Sequence, residues 1–102
     1  MFRLEEFLLT LNSLVQQGMI SDVMLIKGGC QGISIHNVGS LDEFMSYIVN
    51  SGCDTLVIKL ARKIRYERPI YIHQITDFKL NNCSLVINTN NGRFTDKIKL
   101  NF

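Results

Sequence analysis

Ten residues, KGGCQGISIH at positions 27–36, put three glycines, a cysteine and a histidine directly after the apolar run Val23-Met24-Leu25-Ile26. A glycine-rich turn can cradle a phosphate when it opens a helix, because the free N–H groups at the helix start hold the anion. Here the spacing is not GxGxxG, no Gly-Lys-Ser/Thr follows, and Ile33-Ser34-Ile35 reads as strand. The segment therefore predicts a turn between two strands, with Gly28 or Gly29 at positive φ, Cys30 at or beside the turn and His36 ending the return strand.

Cys30, His36, Cys53, His73 and Cys83 are the residues that could ligate a metal. Zinc ligands usually come as close pairs with ~2–4 residues between cysteines, whereas the nearest pair here is Cys30 with His36 and there is no CxxC. Reduced thiols packed as small hydrophobes, with no metal or other cofactor, are the expectation, in keeping with a cytoplasmic, reducing compartment. RNA cleavage through the 2′-hydroxyl needs a general base, a general acid and a cation for the phosphate. His36 and His73 with Lys59 or Arg65 supply those types, but any basic chain of this size offers such a set. No catalytic residue is assigned, and a small ribonuclease is the third-ranked reading.

At 102 residues, 46% apolar and 20% charged, the chain fits one domain over 1–102 with a sizeable core. No apolar run approaches the ~20 residues of a membrane span, and Glu5 and Glu6 stand where a signal peptide is basic, so no membrane association is expected. The net charge of +2 hides an asymmetry. Residues 1–54 carry Arg3 and Lys27 against six acids, Glu5, Glu6, Asp22, Asp42, Glu43 and Asp54. Residues 55–102 carry nine basic residues against three acids, and five of the nine, Lys59, Arg62, Lys63, Arg65 and Arg68, fall within ten positions.

The elements that must position these groups follow from periodicity. Leu4, Phe7, Leu8, Leu11, Leu14 and Val15 recur at helical spacing over about 2–17, and Gly18 is a natural stop. Strands are expected at about 21–27 and 32–36. Ser40-Leu41-Asp42-Glu43 reads as a capping box opening a second helix with Leu41, Phe44, Met45 and Ile48 inward and Gly52 as its end. Alternation then places Leu56, Ile58, Leu60 and Ile64 on one face of a strand over 54–65, broken by Arg62, with Pro69 marking a turn. A strand over about 70–80 follows, then two more joined by short turns. A two-residue turn at Asn91-Gly92 pairs Leu85 with Ile98 and Cys83 with Leu100; one at Asn81-Asn82 pairs Phe78 with Leu85. Together these predict an α+β domain of order α-β-β-α-β-β-β-β, a mostly antiparallel sheet of about five to six strands with two helices on one face.

The outer sheet face is then expected to carry Lys59, Lys63, Arg65, Tyr71, His73, Lys79, Ser84, Thr95, Lys97 and Lys99. Such a face can be plain solvated surface, or it can meet an acidic partner, either a protein or single-stranded nucleic acid held by stacking and phosphate pairing. The modest net charge and the lack of an RNP-like aromatic motif favour protein over nucleic acid. Partner-binding candidates are Lys59, Lys63, Arg65, Tyr71, His73, Lys97 and Lys99, or alternatively the six acids of the first half.

The chain as a whole, including its ISIHN (33–37) and TNNGRF (89–94) segments, resembles the small cytosolic immunity proteins of bacterial toxin systems, among them contact-dependent growth inhibition. The resemblance implies a non-enzymatic α/β domain that plugs the active site of a cognate toxin by direct binding. It carries over no functional residues. Inhibitors of basic nucleases are often acidic, so a slightly basic chain implies either contact through the acidic half or an acidic toxin surface meeting the basic sheet.

Overall fold

The computed structural model describes residues 2–28 and 32–102. Helix α1, Leu4–Gln16, forms because Phe7, Leu8, Leu11 and Leu14 fall on one stripe, and all four are buried. It ends in a Schellman arrangement: Gly18 N–H donates to the Val15 carbonyl and Met19 N–H to the Leu14 carbonyl, with Gly18 at φ 78°. Helix α2, Leu41–Val49, opens as the capping box predicts on the Ser40 side, whose hydroxyl accepts from Glu43 N–H at 3.1 Å. The Glu43 carboxylate reaches one residue further back than the motif implies, accepting from Gly39 N–H at 2.7 Å.

Among the described residues, seven antiparallel strands keep the expected α+β order apart from one additional strand, and they divide over two sheets. Sheet one runs β2-β1-β3-β4, with β1 Ile20–Ile26, β2 Ile33–Ser34, β3 Thr55–Leu60 and β4 Ile70–Tyr71. Sheet two runs β5-β6-β7, with β5 Ile75–Leu80, β6 Ser84–Asn90 and β7 Thr95–Asn101. The division arises within 70–80, expected as one strand. A 3-10 turn at Ile72–Gln74 interrupts it, leaving Ile70, Ile72 and Ile75 all buried, and passes the chain from one sheet to the other.

The strands expected on either side of the turn predicted within 27–36 pair, as Met24↔Ser34 and Leu25↔Ile33, and Gly28 has φ 51°. Cys30 and Gly29 lie outside the described residues. The return strand is shorter than 32–36 because Ile35–Asn37 turns into a 3-10 segment, with the Ser34 hydroxyl accepting from His36 N–H. Gly32 packs closely, since a Cβ there would lie 2.6 Å from the Met24 side chain, which would have to move to admit it.

Both later hairpins differ from the two-residue turns read from sequence. The observed pairs are Leu80↔Leu85 and Phe78↔Ile87, then Leu85↔Leu100, Ile87↔Ile98 and Asn90↔Thr95. Each loop is thus two residues longer. A shift of two residues preserves the face each side chain occupies, so Leu85, Ile87, Ile98 and Leu100 are still all buried. The longer loops have a common cause. Asn81 Oδ1 accepts from the N–H groups of Cys83 and Ser84, and Asn91 Oδ1 accepts from those of Arg93 and Phe94. Ser84, expected on the outer face, is instead 1% exposed, its hydroxyl also donating to Asn81.

Strands, helices and turns share a single core that includes Phe7, Phe44, Leu25, Ile58 and Leu85. Edge-on contacts of Phe7 with Phe2 and Phe78 (5.6 and 5.1 Å between centroids) tie α1 to sheet two. The radius of gyration, 12.8 Å, is that of one domain of this length, for which about 13 Å is usual. Among the described residues no helix is long and apolar enough to cross a membrane.

Candidate functional site

The predicted strand over 54–65 stops at Leu60, and the chain leaves the sheet for residues 61–69 before Ile70 returns to the core. Ile64, placed by alternation on the buried face, is 93% exposed. Lys63 and Arg65, expected on the sheet face, flank it in this loop. The physical reason is the charge density of ARKIRYER: four cations in eight residues cannot follow Leu60 into an apolar layer.

Although long, the loop is pinned at several points. Lys63 N–H donates to the Leu60 carbonyl (3.1 Å), and Glu67 N–H donates to the Ile58 carbonyl (2.7 Å), bringing the returning chain beside β3. Lys63 Nζ and Glu67 Oε1 are 3.0 Å apart. The Tyr66 hydroxyl donates to Asp22 Oδ2 at 2.5 Å, while Asp22 Oδ1 accepts from the Ser34 hydroxyl. That hydrogen bond, with burial and the Asp22 charge, raises the Tyr66 hydroxyl above its ordinary pKa.

Asp22 is available for this because β1 shifts register between Ile20 and Asp22, after which Asp22 sits opposite Lys59 on β3. Lys59 Nζ in turn lies 5.9 Å from the centre of the Tyr66 ring. At its far end the loop is held to sheet two: Arg68 pairs with Asp96 at 2.8 Å. Asp96 is held below its ordinary carboxylate range by the Lys97 backbone N–H first and by Arg68 second.

The other predicted residues are dispersed. Lys97 and Lys99 are exposed on β7, and Lys79 of β5 and Lys99 both lie opposite Val86 of β6, forming a short basic row on sheet two. Tyr71 is exposed opposite Thr55. His73, in the corner between β4 and β5, lines an open depression with Phe2, Leu4 and Val49. His36 lies against β1, its Nε2 donating to the Ser21 carbonyl at 2.7 Å.

Much of the acidic half is engaged within the fold. Asp22 holds Tyr66, Glu43 caps α2, and Asp54 accepts from the Thr55 hydroxyl. Glu5, Glu6 and Asp42 occupy the first turns of the two helices, where the helix dipole favours them. Among the described residues no three His, Cys, Asp or Glu side chains gather as a metal site. Cys53 is buried, and burial pushes its thiol pKa up; Cys83 is exposed.

Arg62, Ile64 and Tyr66 belong to this site and were not among the sequence-derived candidates. The signal for them was present, in the break of alternation at Arg62 followed by a basic run. Fold and site together define an α+β domain that presents a braced, basic loop with an apolar residue at its exposed part. Comparison with protein-family models, with curated proteins and with solved structures returned no match to this chain.

Proposed function

We propose that this protein is a non-enzymatic inhibitor that acts by direct contact with another protein, of the type represented by the immunity proteins of bacterial toxin systems. The observation that carries the reading is the loop over 61–69, which exposes Ile64 among cations while backbone hydrogen bonds tie it to β3 and the side chains of Tyr66 and Arg68 tie it to sheet one and sheet two. Holding such a segment in place before binding removes part of the ordering cost of association. Cations around an apolar anchor speed encounter with an acidic partner and favour it over others. The test is co-expression with, and pull-down against, the product of the gene adjacent to its own. Protection of the cells together with a stoichiometric complex supports the reading, and neither protection nor binding ends it.

A second reading, nucleic-acid binding, is favoured by the lysine row of Lys79, Lys97 and Lys99 on sheet two. It expects affinity for single-stranded RNA that falls steeply with salt and is lost in Lys97→Glu with Lys99→Glu. Affinity unchanged by these reversals removes it.

A further inference from the structure

We infer that the loop over 61–68 is the docking element, and that its partner surface is an apolar pocket rimmed by carboxylates which receives Ile64 between Arg62 and Arg65. This rests on the reading that the protein works by binding another protein, and it specifies where that contact lies and what chemistry lies across it.

Three observations lead there. First, the cations of the loop are not equivalent. Among the described residues Lys63 is neutralised by Glu67 and Arg68 by Asp96, while neither Arg62 nor Arg65 has a carboxylate within 4.0 Å. The two unpaired guanidiniums are those nearest Ile64 in the chain, so the charge awaiting a counter-ion and the uncovered apolar side chain coincide. Arginine is also the cation best suited to carboxylates at an interface, because its planar fork binds both oxygens and is less strongly hydrated than an ammonium.

Second, Ile64 is 93% exposed although its neighbours in the loop are tied down. A large aliphatic side chain held in water gains most from entering a pocket that excludes solvent.

Third, the geometry disfavours a nucleic-acid partner at this loop. Of the planes on which a base could stack, the loop's one ring, Tyr66, has Lys59 near it and its hydroxyl committed to Asp22, which leaves only the guanidiniums of Arg62 and Arg65. Between them Ile64, 93% exposed, offers a base no plane, whereas an apolar pocket rimmed by carboxylates matches all three side chains. A second copy of the chain is a poor fit as well, because its exposed acids are already engaged: Glu5, Glu6 and Asp42 sit in the first turns of helices that favour them, Glu43 caps α2, Asp77 accepts from the Asn88 amide and Asp96 pairs with Arg68.

The experiment measures binding of full-length wild type, Ile64→Asp, Arg62→Glu with Arg65→Glu, and the control Arg3→Glu with Arg93→Glu, to the adjacent gene's product by calorimetry and surface kinetics. Unfolding curves confirm that each variant is folded; all these side chains are exposed, so they are expected to match wild type. The inference expects Ile64→Asp to weaken binding ~100-fold or more, chiefly through faster dissociation. The double Arg reversal is expected to lower the association rate at least tenfold in low salt and to flatten its salt dependence, with the control near wild type. Tight binding that both loop variants retain overturns this inference and leaves the inhibitor reading standing. Failure of wild type to bind overturns both. Binding of a mixed-sequence RNA oligonucleotide that the Arg reversal abolishes, or self-association that Ile64→Asp abolishes, also overturns it by assigning the loop to another occupant.

Discussion

Two turns with the same hydrogen-bond plan but different burial permit a quantitative prediction. Asn81 and Asn91 each begin a hairpin loop and each accept, through Oδ1, from the backbone N–H groups two and three residues on. At the second turn the donors belong to Arg93 and Phe94, both exposed, so water replaces the side chain in Asn91→Ala at a net cost of about 0.5–1 kcal/mol. At the first turn two of the four donors to Oδ1, the N–H and O–H of Ser84, belong to a residue 1% exposed, where water cannot substitute. Each stranded buried donor costs ~1–3 kcal/mol, and the hydroxyl can recover part by rotating, so Asn81→Ala is expected to cost about 2–3 kcal/mol. The difference of about 2 kcal/mol corresponds to ~8–16 °C in Tm for a domain of this size. Urea unfolding of both variants measures it. Ser84→Ala then removes one stranded donor, and in that background Asn81→Ala should cost about 1 kcal/mol less. Equal costs at the two turns, or no coupling to Ser84, would refute the reasoning.

Phe7 is fully buried against Phe2 and Phe78, so Phe7→Ala should cost about 3–5 kcal/mol in urea unfolding, and a loss under 1 kcal/mol contradicts the packing described. Tyr66, whose pKa is raised by donation to Asp22, contributes stability that is complete below the unfolded tyrosine pKa of about 10 and is lost as pH rises through the higher folded value. Stability measured between about pH 9 and pH 12 should therefore fall less in Tyr66→Phe than in wild type. In a Cys30→Ser background, Ellman's reagent should modify Cys83 within minutes and Cys53 only on unfolding; two rapid thiols would contradict the burial of Cys53.

What could be read in the sequence was which side chains share a face, because period two and period 3.6 survive errors of register. Asn91-Gly92 has the composition of a tight type I′ turn, yet Asn91 spends its side chain on the backbone and lengthens the loop. Sequence composition does not distinguish these uses of asparagine. The corner at Ile72–Gln74 did leave a trace, since apolar spacing changes from two (Ile70, Ile72) to three (Ile72, Ile75), which a continuous strand does not do. Ile64 reads as inward because alternation reports the phase of a strand and not where the strand ends. The acidic half read as a patch, although the pairing of Asp22 with Tyr66, 44 residues away, is set by the return of the loop and has no local signature.

The corner also bears on how the molecule moves. Three residues join β4 to β5, and the corner is fastened by Ile72 N–H donating to the Asp54 carbonyl at 2.9 Å. With so little slack, opening one sheet strains the other, and the two are expected to exchange their amide protons as one cooperative unit. The loop over 61–69 is fixed to both, by Tyr66 on one side and Arg68 on the other. A load on the loop at Ile64 is therefore passed to both sheets and not to the loop alone.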